Sequence, residues 1–161
     1  MIMNHSLRIG FSFGLTSAII TTLGLMVGLS STTNLKIIVI GGILTIAIAD
    51  SFSDALGIHI SEESENIHTA KEIWQSTLAT FFSKFIFAAS FIIPIIFFKE
   101  LSTAILFSII WGLSLLTVLS YVMTKQQGNS PYKPIAEHLI IAIAVIILTH
   151  YVGVWISATF C

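Results

Sequence analysis

Two aspartates, Asp50 and Asp54, lie inside an apolar run of the chain, and their carboxylates are the groups best suited to bind a cation. The run reads GGILTIAIADSFSDALGIHISEESE. Residues four apart share one face of a helix, so a helix here presents both carboxylates together. A carboxylate inside a bilayer is costly unless it meets water, a partner or a cation. The pair therefore predicts an ion site, and the competing interpretation is interhelical hydrogen bonding by a protonated carboxyl.

Further polar groups continue this helix face into a segment rich in glutamate, SEESENIHTAKE. Carboxylates and imidazoles without thiolates suit Mg, Mn or Fe(II) better than Cu(I). The candidate metal ligands are Asp50, Asp54, His59, Glu62, Glu65, His68 and Glu72. Taken singly, each glutamate is explained as well by simple exposure to water. His59 is interpreted either as a ligand or proton carrier or as an interfacial side chain.

The composition indicates that these groups belong to a membrane protein. The chain has 161 residues, of which 55% are hydrophobic and 9% charged, whereas soluble chains carry about 25% charged residues. A spanning helix needs about 20 apolar residues. The sequence predicts a single all-α integral membrane domain, residues 1–161, with five transmembrane helices near 9–29, 37–60, 78–98, 101–123 and 139–160, and with helix two extended into an acidic cytoplasmic segment, 61–76.

Several function classes are excluded by what the sequence lacks. There is no basic patch for nucleic acid, and the single cysteine, Cys161, excludes a disulfide framework. The zinc-protease pattern His-Glu-x-x-His is missing. A second cluster of acidic residues with an arginine to hold a phosphate is missing as well, since Arg8 is the only arginine. We therefore expect no enzyme, although an intramembrane enzyme remains a minor alternative.

The distribution of basic residues predicts the orientation. Cationic residues cluster in cytoplasmic loops. Alternating the predicted helices across the bilayer separates the lysines and the arginine into Arg8, Lys71, Lys84, Lys125 and Lys133 on one side and Lys36 and Lys99 on the other. This bias places the N-terminus in the cytoplasm and the C-terminus outside. Lys84 lies inside a predicted helix, and we expect its amine to extend to the interface rather than pair with an aspartate.

The first two predicted helices resemble a known family. GLTSAIITTLGLMVGLS followed by GGILTIAIADSFSDALGIHISEESE is similar to the first two helices of the vacuolar iron transporter family. Pro94 and Gly153 extend the resemblance into the third and fifth helices. The resemblance implies a homodimer in the plasma membrane that exports Fe(II) or Mn(II) from the cytosol in exchange for protons, with the metal as cargo and no cofactor.

The same resemblance implies where the ion passes. It predicts a path between subunits lined by helices one and two, with Ser17, Thr21 and Ser53 beside the aspartates. For the hydroxyls of helix one, hydrogen bonding to their own helix is the simpler explanation. The resemblance also implies that the cytoplasmic glutamates, with His68, collect metal.

This chain departs from the family pattern at the intramembrane acids. Helix one of the family usually carries Asp-Gly where this chain has Ser17-Ala18, and helix two usually carries Ser-Met where it has Ser53-Asp54. An acid is thus lost from one helix and gained on the next. The sequence leaves a second function open, that of a membrane accessory or metal-sensing protein that does not transport.

Overall fold

The computed structural model describes residues 5–160, and helices make up nearly all of that range. The helices are α1 (His5–Thr32), α2 (Lys36–Glu65), α3 (Ala70–Ser90), α4 (Ile92–Phe97), α5 (Leu101–Gln126) and α6 (Tyr132–Phe160).

Within residues 5–160, five helical stretches are long and apolar enough to cross a membrane, with α3 and α4 together forming one of them. The predicted all-helical membrane fold is confirmed. Each of the five stretches extends beyond at least one of its predicted bounds. A search for apolar windows detects only the part that fits hydrocarbon, while the polar residues at either end also adopt helical structure.

Pro94 accounts for the division between α3 and α4. Proline lacks an N–H donor, and its ring clashes with the carbonyl four residues earlier. That residue is Ser90, where α3 ends, and α4 begins at Ile92. The interruption is the disturbance that a proline causes inside a helix. The next connection is short, as predicted, since α5 begins at Leu101 only a few residues after Phe97.

The acidic segment is divided between two helix ends. Helix α2 continues to Glu65, which confirms the predicted extension of helix two, and α3 begins at Ala70. Asn66 follows α2 with φ of 54°, the left-handed conformation that ends many helices and that asparagine tolerates. The glutamates of residues 61–76 therefore belong to two different helices.

The chain divides into two compact units, and helices α1 and α2 each contribute to both. The first unit contains residues 5–18 and Leu44–Ser90. Its core joins three alanines, Ala18, Ala47 and Ala88, one from each helix, and phenylalanines of α3 pack against them. Small residues allow helix backbones to approach closely in lipid.

The second unit contains Ile19–Ile43 and residues 91–160. Here α1 and α6 approach closely at Gly153, where an added Cβ would overlap the carbonyl oxygen of Gly28. His150 Nδ1 lies 2.8 Å from the hydroxyl of Ser31, which supports a structural role for this histidine.

Gly14 provides a direct test of helix packing in the first unit. A Cβ at Gly14 would overlap the Ser83 hydroxyl and lie 2.6 Å from the Thr80 carbonyl oxygen. We expect Gly14→Ala to lower the free energy of unfolding by about 1–3 kcal/mol, because a close-packed contact must open. The matched control on the same helix is Gly28→Ala, since the nearest atom to a Cβ at that position is the Thr149 carbonyl oxygen at 3.5 Å, an ordinary contact distance. Thermal unfolding in detergent measures both, and equal effects would show that the contact is unimportant.

Candidate ion site

Asp50 and Asp54 of α2 both contact one lysine of α3. The Nζ of Lys84 lies 2.5 Å from Oδ2 of Asp50 and also forms an ion pair with Oδ2 of Asp54. The Lys84 side chain is 1% exposed, whereas those of Asp50 and Asp54 are 27% and 19% exposed. The structure thus brings the two predicted carboxylates together around a single positive charge.

Helix α1 supplies a third oxygen to the same ammonium. Lys84 Nζ donates a hydrogen bond of 2.8 Å to the hydroxyl of Ser17. An ammonium carries three N–H donors, and three side-chain oxygens from two helices surround this one. We call Asp50, Asp54, Ser17 and Lys84 the Lys84 site.

The expectation that Lys84 extends to the interface is wrong. Its amine is buried because it lies on a polar face of α3 that also carries Ser76, Thr80 and Ser83, all of them buried. This face packs against α1, where a Cβ at Gly10 would overlap the Ser76 carbonyl oxygen. These polar residues recur at spacings of three and four along α3, and that pattern indicates a polar helix face from the sequence alone.

Glu62 lies two helical turns beyond Asp54 on α2 and is also buried. Its side chain is 5% exposed, and Oε2 accepts a hydrogen bond of 2.7 Å from the Ser76 hydroxyl. The other oxygen, Oε1, has no hydrogen-bond partner among the described residues. Asp50, Asp54 and Glu62 are spaced by four and eight residues, so they share one face of α2.

The remaining candidate ligands each have a local partner. His59 Nδ1 lies 3.0 Å from the Thr77 hydroxyl, and its ring packs on Trp74. Oε2 of Glu65 lies 3.3 Å from Nε2 of His68.

Glu72 accepts hydrogen bonds from the backbone N–H (2.9 Å) and the hydroxyl (2.8 Å) of Thr69. This is the capping arrangement that begins many helices. Among residues 5–160, no three His, Cys, Asp or Glu side chains are arranged to share one metal ion.

The three predicted hydroxyls of the ion path lie on two helices. Ser17 of α1 accepts a hydrogen bond from the Lys84 ammonium. Ser53 is exposed on α2, and Thr21 belongs to the second unit.

The second unit contains a cavity of about 590 Å³, and no acidic residue lines it. Its walls are mainly aliphatic side chains, with His150 and Ser31 among the polar ones. The cavity therefore offers no carboxylate to a cation.

Comparison with protein-family models and with curated protein sequences finds no match for this chain.

Proposed function

We propose that this protein transports divalent metal ions, Fe(II) or Mn(II), across a membrane in exchange for protons. The observation that carries the proposal is the Lys84 site, where two carboxylates of a spanning helix surround one position that a positive charge occupies. Intramembrane acids mark ion paths more often than structural contacts. The resemblance of α1 and α2 to iron transporters supports a metal as the ion.

Proton exchange follows from the chemistry of the carboxylates. The two carboxylates carry one negative charge more than the Lys84 ammonium offsets, and a proton neutralises that excess when no metal is bound. A divalent cation binds the deprotonated form and so displaces protons. A site with two carboxylates thus couples metal binding to proton release.

A homodimer is part of the proposal, because one chain supplies few ligands. Divalent ions of this class take about six oxygen or nitrogen ligands, and the Lys84 site offers two carboxylates and a hydroxyl. Helix α2 also has an exposed row of small side chains at a spacing of four, namely Thr45, Ala49, Ser53 and Gly57. Such rows favour helix pairing in lipid, and a second copy here would add its own aspartates.

The proposed orientation follows the basic residues, with the N-terminus in the cytoplasm and the C-terminus outside the plasma membrane. The acidic ends of α2 and α3 then face the cytosol. Their negative charge would raise the local concentration of cations there. Export is the direction that this arrangement favours.

One observation favours a second candidate, a membrane accessory or metal-sensing protein. Lys84 already neutralises part of the charge of the aspartates, and a buried ion pair of this kind also occurs as a structural contact. An accessory protein would bind metal weakly or not at all and would move none alone.

Metal competition in proteoliposomes distinguishes the two candidates. Purified protein is reconstituted with an imposed pH gradient, and Fe(II), Mn(II), Zn(II) and Mg(II) are compared side by side. We expect Fe(II) or Mn(II) flux above that of protein-free liposomes, accompanied by proton movement. Background flux for every metal would leave the accessory function as the better explanation.

A further inference from the structure

The Lys84 ammonium lies where a transported cation would have to bind. Its Nζ donates hydrogen bonds to Asp54 and to the Ser17 hydroxyl and forms an ion pair with Asp50. A metal ion ligated by both aspartates cannot share this position with the ammonium.

The Lys84 side chain is more deeply buried than the two carboxylates that it contacts. The lysine is 1% exposed, whereas Asp50 and Asp54 keep 27% and 19% of their side-chain surface. Lys84 therefore leaves part of the carboxylate side-chain surface uncovered. Lys84 is also among the largest of the side chains that are almost completely buried.

We infer that Lys84 is a built-in competing cation, which offsets one of the two negative charges of the aspartates when no metal is bound and withdraws when a metal binds. This inference rests on the proposed function. Ser17 lies on a different helix from the aspartates and remains available to the amine after withdrawal. The flexible four-carbon stem of lysine permits such a movement.

Competition of this kind selects ions by charge. Coulomb attraction scales with the product of the charges. A monovalent ion gains about the same attraction as the ammonium that it must displace, whereas a divalent ion gains about twice as much. Lys84 is thereby a specificity-determining residue that favours divalent over monovalent cations.

Replacing Lys84 by glutamine and replacing it by arginine should change the affinity for Mn(II) in opposite directions. The probe is Mn(II) binding to the full chain in nanodiscs, with and without excess Na⁺. We expect Lys84→Gln to tighten Mn(II) binding about tenfold, equivalent to about 1.4 kcal/mol, and to make it sensitive to Na⁺. Lys84→Arg should weaken binding, since guanidinium grips two carboxylates more firmly than ammonium does.

The matched control is Lys71→Gln, which removes the same charge from an exposed position on the same helix. Its Mn(II) affinity should equal that of the unchanged protein. If Lys84→Gln left the Mn(II) affinity unchanged, the inference would be overturned, because removal of a competing charge must strengthen binding. Weaker binding in both Lys84 variants would overturn it too, because it would show a structural role.

A second comparison covers the case in which Lys84→Gln fails to fold. Asp54→Asn leaves a neutral pair of Asp50 and Lys84, and adding Lys84→Gln removes the competitor from that background. The double variant should bind Mn(II) more tightly than Asp54→Asn alone, and equal affinities would reject competition.

If the unchanged protein neither binds nor moves Mn(II), the proposed function fails and the inference with it. Normal transport with no effect of Lys84 on affinity would reject the inference alone.

Discussion

Asp54→Asn and Asp50→Asn are each expected to abolish metal-dependent proton flux in liposomes. Either change leaves Lys84 paired with one remaining carboxylate, so the Lys84 site becomes neutral and no longer attracts a divalent ion. A loss of flux of about 100-fold or more, equivalent to about 2.7 kcal/mol, is the expected size.

Glu100→Gln is the matched control for these variants. It makes the same carboxylate-to-amide change at an exposed position before α5, where the side chain makes no capping hydrogen bond. Flux close to that of the unchanged protein is expected. If both aspartate variants kept their flux, Asp50 and Asp54 would have no part in transport.

The sequence predicted the helices and the carboxylate pair because both depend on local periodicity. Apolar runs of the right length require spanning helices, and the spacing of Asp50 and Asp54 places them on one face whatever the tertiary packing. The interruption before Pro94 was predictable for the same reason, since it follows from the chemistry of one residue.

The partner of the aspartates was not predictable in the same way. Whether Lys84 faces lipid or the helix bundle depends on the rotation of α3 about its axis. That rotation depends on contacts such as the one between Gly14 of α1 and Thr80 of α3. These contacts join residues far apart in sequence. The general tendency of lysine to reach the interface was outweighed by two carboxylates and a hydroxyl nearby.

The acidic segment shows the limit of reasoning from one helical face. The sequence extends that face through Glu72, but α2 ends at Glu65. Beyond that point the face belongs to another helix with its own direction. Glu72 then caps α3 through Thr69, and Glu62 turns to Ser76. Each of these glutamates has a local hydrogen-bond partner that a single continuous helix would not provide.

The second large effect concerns stability. Lys84→Met should lower the free energy of unfolding by about 3–5 kcal/mol, because two carboxylates in the membrane lose their counter-ion while the methionine fills much of the same volume. Thermal unfolding in detergent measures this loss. Lys71→Met, at an exposed position of α3, is the control and should change little.

Adding Asp50→Asn and Asp54→Asn to Lys84→Met should restore most of the lost stability, since the triple variant carries no unpaired charge. Replacing a buried ion pair completely is often neutral or stabilising, in contrast to removing one partner. The same triple variant should carry no metal flux, because no carboxylate of the Lys84 site remains. The triple variant would then be stable but unable to transport metal. A purely structural ion pair does not predict that combination. A triple variant as unstable as Lys84→Met would instead show that the lysine stem, and not its charge, supports the packing of α1, α2 and α3.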